Sequence, residues 1–156
     1  MSGILTVATD HTDTEVPPMR PYYVAVDFDG TLVDCRYPDV GAEVPGAVTW
    51  LRKLQEAGAS LILWTMRSGR TLEDAVTWCE SRGIRLFGVN VNPTQEWWTA
   101  SPKAYAHVYV DDAAVGCPLR INPRAGGWPM VDWDVVGPAV WQEFCEARGL
   151  RVADPA

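Results

Sequence analysis

Four short apolar runs, each ending abruptly at a polar residue, constrain this chain more than any other feature. The first is Tyr22-Tyr23-Val24-Ala25-Val26, which stops at Asp27-Phe28-Asp29-Gly30-Thr31. Leu61-Ile62-Leu63-Trp64 stops at Thr65, Leu86-Phe87-Gly88-Val89 at Asn90, and His107-Val108-Tyr109-Val110 at Asp111-Asp112. Continuous β-branched and aromatic runs of this length read as strands buried on both faces. Between the first two, Val48, Leu51 and Leu54 recur at helical spacing, with Pro45-Gly46 before them and Gly58 after. Leu72, Ala75, Val76 and Cys79 mark a second helix that ends near Gly83. Strands alternating with helices predict an α/β fold with a mostly parallel sheet, a Rossmann-like three-layer α/β/α core.

The remaining segments are punctuation. Residues 1–20 are rich in Thr, Asp and Pro and read as a flexible arm, leaving 21–156 as one domain. Residues 32–45, with Pro38, Gly41 and Pro45, read as a loop or small hairpin. Loops are expected over 90–102 and 116–130, a last strand near Val131–Trp133, and a final helix over about Pro138–Arg148. A chain of 156 residues can bury a sizeable core without staples.

Charge and cysteine usage narrow the function classes. The net charge of −7 disfavours nonspecific binding to a polyanion. Cys35, Cys79, Cys117 and Cys145 form no C-x-x-C pair, and His11 and His107 are the only histidines, so a structural zinc site has nothing to build on. No apolar run reaches the ~18 residues of a membrane helix, and the start has no signal-peptide pattern. A cytoplasmic protein with reduced thiols is the expectation.

In open α/β sheets ligands bind beyond the carboxyl ends of the strands. That rim would gather Asp27 and Asp29, then Thr65, Arg67 and Ser68, then Asn90 and Asn92, then Asp111 and Asp112, with Lys103 just before the fourth strand. Clustered carboxylates raise one another's pKa, and a hard divalent cation such as Mg2+ relieves them. The cation attracts phosphate, which Thr65, Lys103 and a helix N-terminus near Ser68–Arg70 can hold.

Asp27-Phe28-Asp29-Gly30-Thr31-Leu32 resembles the first motif of the haloacid dehalogenase (HAD) superfamily in its phosphatase form. Thr65, Lys103 and Asp111-Asp112 are similar to the second, third and fourth motifs, in order, over residues 22–115. The resemblance implies a magnesium-dependent phosphomonoester hydrolase. Asp27 would be the nucleophile that becomes an aspartyl phosphate, and Asp29 the proton donor and then the base for water. The backbone carbonyl of Asp29 would join Asp27, Asp111 and Asp112 around Mg2+, while Thr65 and Lys103 would bind phosphoryl oxygens and Lys103 would also neutralise Asp27. Beside the resemblance, Gly30, Thr31 and Ser68 are expected to contact substrate, and Arg67 either to touch substrate or phosphate or to pair with an acidic neighbour.

Neither slot for a cap domain, Leu32–Leu63 or Met66–Pro102, has room for one, so the site should be open, with a flap at about 32–45. The expected partner is a small phosphorylated molecule rather than nucleic acid or membrane. A nucleic-acid end phosphatase and a non-catalytic binding protein of the same fold are the alternatives. Trp97 and Trp98 are expected to anchor a loop, with base stacking as the other reading, and His107 is expected to be structural.

Overall fold

The computed structural model describes Arg20–Pro123 and Gly126–Arg151. The expected arm over residues 1–20 lies almost wholly outside the described residues.

Strands β1 (Tyr23–Val26), β2 (Ser60–Leu63), β3 (Leu86–Val89) and β4 (Val108–Val110) form one sheet in the order β3-β2-β1-β4. All three pairings are parallel, with Val26 beside Leu63 on one side and Val110 on the other. β1 is central, and all four of its residues are buried. That is why it reads as an uninterrupted apolar run. The fold is the expected α/β, Rossmann-like arrangement.

The pleat sends alternate residues to opposite faces. Val24, Val26, Leu61 and Leu63 pack into the main core. Helices α1 (Ala47–Glu56), α2 (Gly69–Ser81) and α3 (Trp133–Ala147) all contribute to that core, through residues such as Leu51, Trp78 and Phe144. Tyr23, Ala25 and Ile62 face the other way and meet Ala104 and Ala106. The layer on this second face is therefore segment 90–107, which carries no helix. Two buried side chains shape it instead. Asn92 donates to the Tyr105 carbonyl and accepts from the Thr94 amide and hydroxyl. Gln95 donates to the carbonyls of Ser101 and Lys103 and accepts from the Tyr105 amide.

Three expectations change. Residues 116–130, read as loop, contain an antiparallel hairpin, β5 (Leu119–Ile121) with β6 (Pro129–Val131). The last strand thus ends at Val131 instead of covering Trp133. The final helix starts at Trp133, five residues before Pro138. Proline is a start signal at the first helical turn, yet here it is interior and exposed. The N-cap is Asp132, whose carboxylate accepts from the Asp134 amide. The carbonyl that loses its partner to Pro138 is that of Asp134, on the exposed face of the helix.

The flap is a short two-rung hairpin: the Asp34 amide donates to Ala42, and the Val44 amide donates to Leu32.

Candidate active site

Chain order reverses between β1 and β4. β1, β2 and β3 run outward in one direction, and the chain then crosses back to place β4 on the other side of β1. The crevice at such a switch point opens at the carboxyl ends of the two strands. Asp27 leaves β1 there and Asp111-Asp112 leave β4 there, with the Asp27 amide donating to the Val110 carbonyl at 2.9 Å.

One carboxylate oxygen from each of Asp27, Asp111 and Asp112 lies within 4.8 Å of the others. Burial, followed by the charges of Asp111 and Asp112, pushes the Asp27 carboxyl up to about 7 from 3.8. Burial and then Asp111 also raise Asp112. Gly30 makes the approach possible. Its φ is +77°, and a Cβ there would run into the Asp112 carboxylate. The donor set, three carboxylates that offer only oxygen, fits the chemistry of a hard divalent cation.

Asp27, Trp64, Thr65, Met66, Asn90, Pro102 and Asp111 line an open cleft of about 340 Å³. Thr65 is held there by Asn90. The Asn90 side chain accepts from the Thr65 amide at 2.8 Å and donates to the Thr65 carbonyl at 2.9 Å. Asn90 itself has φ +55°, a left-handed geometry that asparagine tolerates better than most residues. Its amide is thus a brace for Thr65 rather than a free ligand. The Thr65 hydroxyl accepts from the Arg67 amide at 3.2 Å, which turns the chain toward α2.

Other expected site residues are placed differently. Thr31 is fully buried, its hydroxyl donating to Asp27 at 3.2 Å and accepting from the Asp112 amide at 3.2 Å. Gly30 is also buried; its amide donates to Val33 and its carbonyl accepts from Val131. Both hold the motif loop in shape through these bonds, and neither is among the residues that line the cleft. Ser68 is the exposed N-cap of α2 and does not line the cleft. Its carbonyl accepts from the Thr71 hydroxyl.

Arg67 is buried, and its guanidinium makes no approach to the cleft. It donates to both oxygens of Asp29 at 2.7 Å, and to the carbonyls of Pro38, Asp39 and Thr71. Asp29, foremost among its causes, holds the Arg67 proton more tightly. Of its two expected readings Arg67 takes the pairing with an acidic neighbour, and the Asp29 carboxylate stands apart from the other three. Lys103 is exposed, with its ammonium 5.2 Å from the Tyr109 ring centre; among the described ion pairs none joins it to Asp27.

Asn92 is structural, as described above. Trp97 and Trp98 lie outside the cleft, and Trp98 packs edge-on to Tyr105. His107 stacks on Tyr22 at 4.7 Å, and its Nδ1 accepts from the Tyr23 amide at 2.9 Å.

Sequence reasoning missed the supports behind the motif loop. Trp133 is fully buried, and its indole N–H donates to the Thr31 carbonyl at 2.8 Å. Asn122 donates to the buried Asp34 at the base of the flap. These pairs are 102 and 88 residues apart, and no local pattern signals them.

No protein-family model matches the chain, and no curated protein matches it. A conserved protein of Bacteroides thetaiotaomicron, known from its solved structure, is 34% identical, with a TM-score of 0.64. The match covers 85% of this chain and all of that one. The two chains belong to one family. No helix among the described residues is long and apolar enough to cross a membrane.

Proposed function

We propose that this protein is a magnesium-dependent phosphatase of the HAD type, acting on a small phosphorylated molecule. The observation that carries the reading is the convergence of Asp27, Asp111 and Asp112 beside Thr65 at the β1/β4 switch point.

Asp27, Asp111 and Asp112 would hold the cation, which when bound supplies charge that draws in and polarises a phosphoryl group. Asp27, which lines the cleft, is the nucleophile that attacks phosphorus. Thr31 fixes the other approach to Asp27 by its hydroxyl bond. Thr65, rigid on Asn90, offers a hydroxyl to a phosphoryl oxygen. Water hydrolyses the resulting aspartyl phosphate. Lys103, exposed and next to Pro102 of the cleft lining, is the candidate cation for the remaining phosphoryl oxygens. Four free cysteines fit a cytoplasmic setting.

Phosphate release from p-nitrophenyl phosphate and a panel of metabolite phosphates tests the reading. Turnover should require Mg2+, stop with EDTA, and be lost in Asp27→Asn. Turnover that survives Asp27→Asn would sink the nucleophile assignment. Magnesium binding with no turnover on any substrate would point to a non-catalytic binding protein.

A further inference from the structure

A second depression, of about 380 Å³, adjoins the cleft and is lined by Asp29, Tyr37, Met66 and Arg67. The two share Met66, and the residues that line them alternate along the chain. Asp27 and Thr65 belong to the first, Asp29 and Arg67 to the second. The first holds the groups assigned to the phosphoryl end of a substrate. The second lies on the side of Asp29, which the HAD resemblance sets against the leaving oxygen. It is therefore where the alcohol of a phosphomonoester would lie.

Two large apolar side chains stand open there. Tyr37, on the flap, is 64% exposed, and Met66 is 97% exposed. The Arg67 guanidinium lies over the Tyr37 ring, 5.3 Å from its centre, and 5.0 Å from the centre of the Phe28 ring. The same guanidinium donates to the carbonyls of Pro38 and Asp39, the two residues after Tyr37. The ring is thus held from behind before any ligand arrives, which lowers the ordering cost of stacking on its exposed side. Met66 adds a polarisable thioether, a favourable neighbour for an aromatic ring. Charge points the same way. Arg67 is the basic residue lining this depression, and Asp29 takes two of its N–H bonds. An anionic alcohol would meet the Asp29 carboxylate there with no further basic partner among the lining residues.

We propose that Tyr37 and Met66 form a leaving-group subsite for a planar, uncharged aromatic ring, so that the substrate is a phosphomonoester whose alcohol carries one. This rests on the phosphatase reading and names its substrate class. Tyr37 is the specificity-determining residue, and Arg67 is a positioning residue that holds the Tyr37 ring and the flap in place.

The test compares kcat/KM for benzyl phosphate and cyclohexylmethyl phosphate, using the full chain with Mg2+. Both esters release a primary alcohol bearing a ring of the same size, and they differ in whether that ring is planar. The saturated ring is the more apolar, so simple burial would favour it. Stacking favours the planar partner by about 3- to 10-fold. The benzyl ester should therefore lead by about that factor, chiefly through KM. Tyr37→Leu, which keeps an apolar side chain but removes the ring, should bring the two esters within about twofold of each other. Tyr37→Phe should keep the preference. General destabilisation would lower both rates together and leave the ratio alone. Esters within about twofold of each other in the unaltered protein, or a ratio unmoved by Tyr37→Leu, overturn the subsite while the phosphatase reading stands. No turnover of either ester overturns it as well, and the phosphatase reading falls with it only if p-nitrophenyl phosphate and the metabolite panel are also inert.

Discussion

Asp27 is shaped by its neighbours more than by its own chemistry. An aspartate with a carboxyl raised to about 7 keeps its proton in the folded chain over a range where the unfolded chain has lost it. Its contribution to stability is therefore complete below pH ~3.8 and disappears as pH climbs to ~7. In metal-free protein, Asp27→Asn should stabilise the fold at pH 8 by ~2 kcal/mol, or ~4–8 °C in Tm, and do little at pH 4. Thermal melts in EDTA at the two pH values measure this; equal effects at both would show that the carboxyl is not raised. Asn90 lines the cleft and shapes it through its two bonds to Thr65. Asn90→Gly keeps the left-handed backbone but removes both bonds to Thr65. It should raise KM for a phosphoryl substrate about tenfold at nearly unchanged Tm, because Thr65 is released more than the fold is. A Tm loss with unchanged KM would make Asn90 merely structural.

Helix α3 shows how an element far along the chain governs the motif loop. Trp133 opens the helix and donates to the Thr31 carbonyl, while β6 just before it donates from Val131 to the Gly30 carbonyl. Trp133→Phe leaves a buried carbonyl unpaired and a small void, at a cost of ~2–3 kcal/mol in urea melts. If the helix end braces the loop, the variant should also bind Mg2+ less tightly. The same helix packs Gly137 onto the Trp50 ring of α1, where a Cβ would collide with the indole. Gly137→Ala should cost ~1–3 kcal/mol through overpacking, with metal affinity unchanged, since this contact lies away from the loop. Those two variants together separate bracing of the site from simple loss of stability.

At the scale of the molecule, the fold gathers three carboxylates and leaves their mutual repulsion uncompensated by any described basic partner. Cation binding to such a cluster should stabilise the whole domain by ligand linkage. At a Mg2+ concentration ~100 times Kd the gain is ~2.7 kcal/mol. Calorimetry at pH 8 should show Tm rising with Mg2+, and the rise should vanish in Asp112→Asn. A Tm indifferent to Mg2+ and to other divalent ions would mean that the cluster holds no cation.

Much of this architecture is local in origin and legible in the chain. Val24, Val26, Leu61 and Leu63 declare buried strands because a parallel sheet covered on both faces tolerates no alternation. The placement of Asp27, Thr65 and Asp111 at one rim follows, since parallel strands share a carboxyl end. The hairpin over 119–131 is obscure because its strands have three residues each and carry exposed Leu119 and Ile121, too short for a pattern. Pro138 hides the true start of α3 because its exposure, which makes it tolerable inside a helix, is decided by what the helix packs against. The fate of Arg67 is the plainest contrast. Sequence places it beside Thr65 at the site, but whether a guanidinium meets a phosphate or an aspartate depends on where the flap brings Pro38 and Asp39 and where the motif loop brings Asp29. Sequence alone determined which residues reach the rim, because strand polarity is written in local hydrophobic runs. Tertiary structure decided which of them face the cleft and which are consumed by one another, because hydrogen-bond partners 28 to 102 residues apart meet only once the chain is packed.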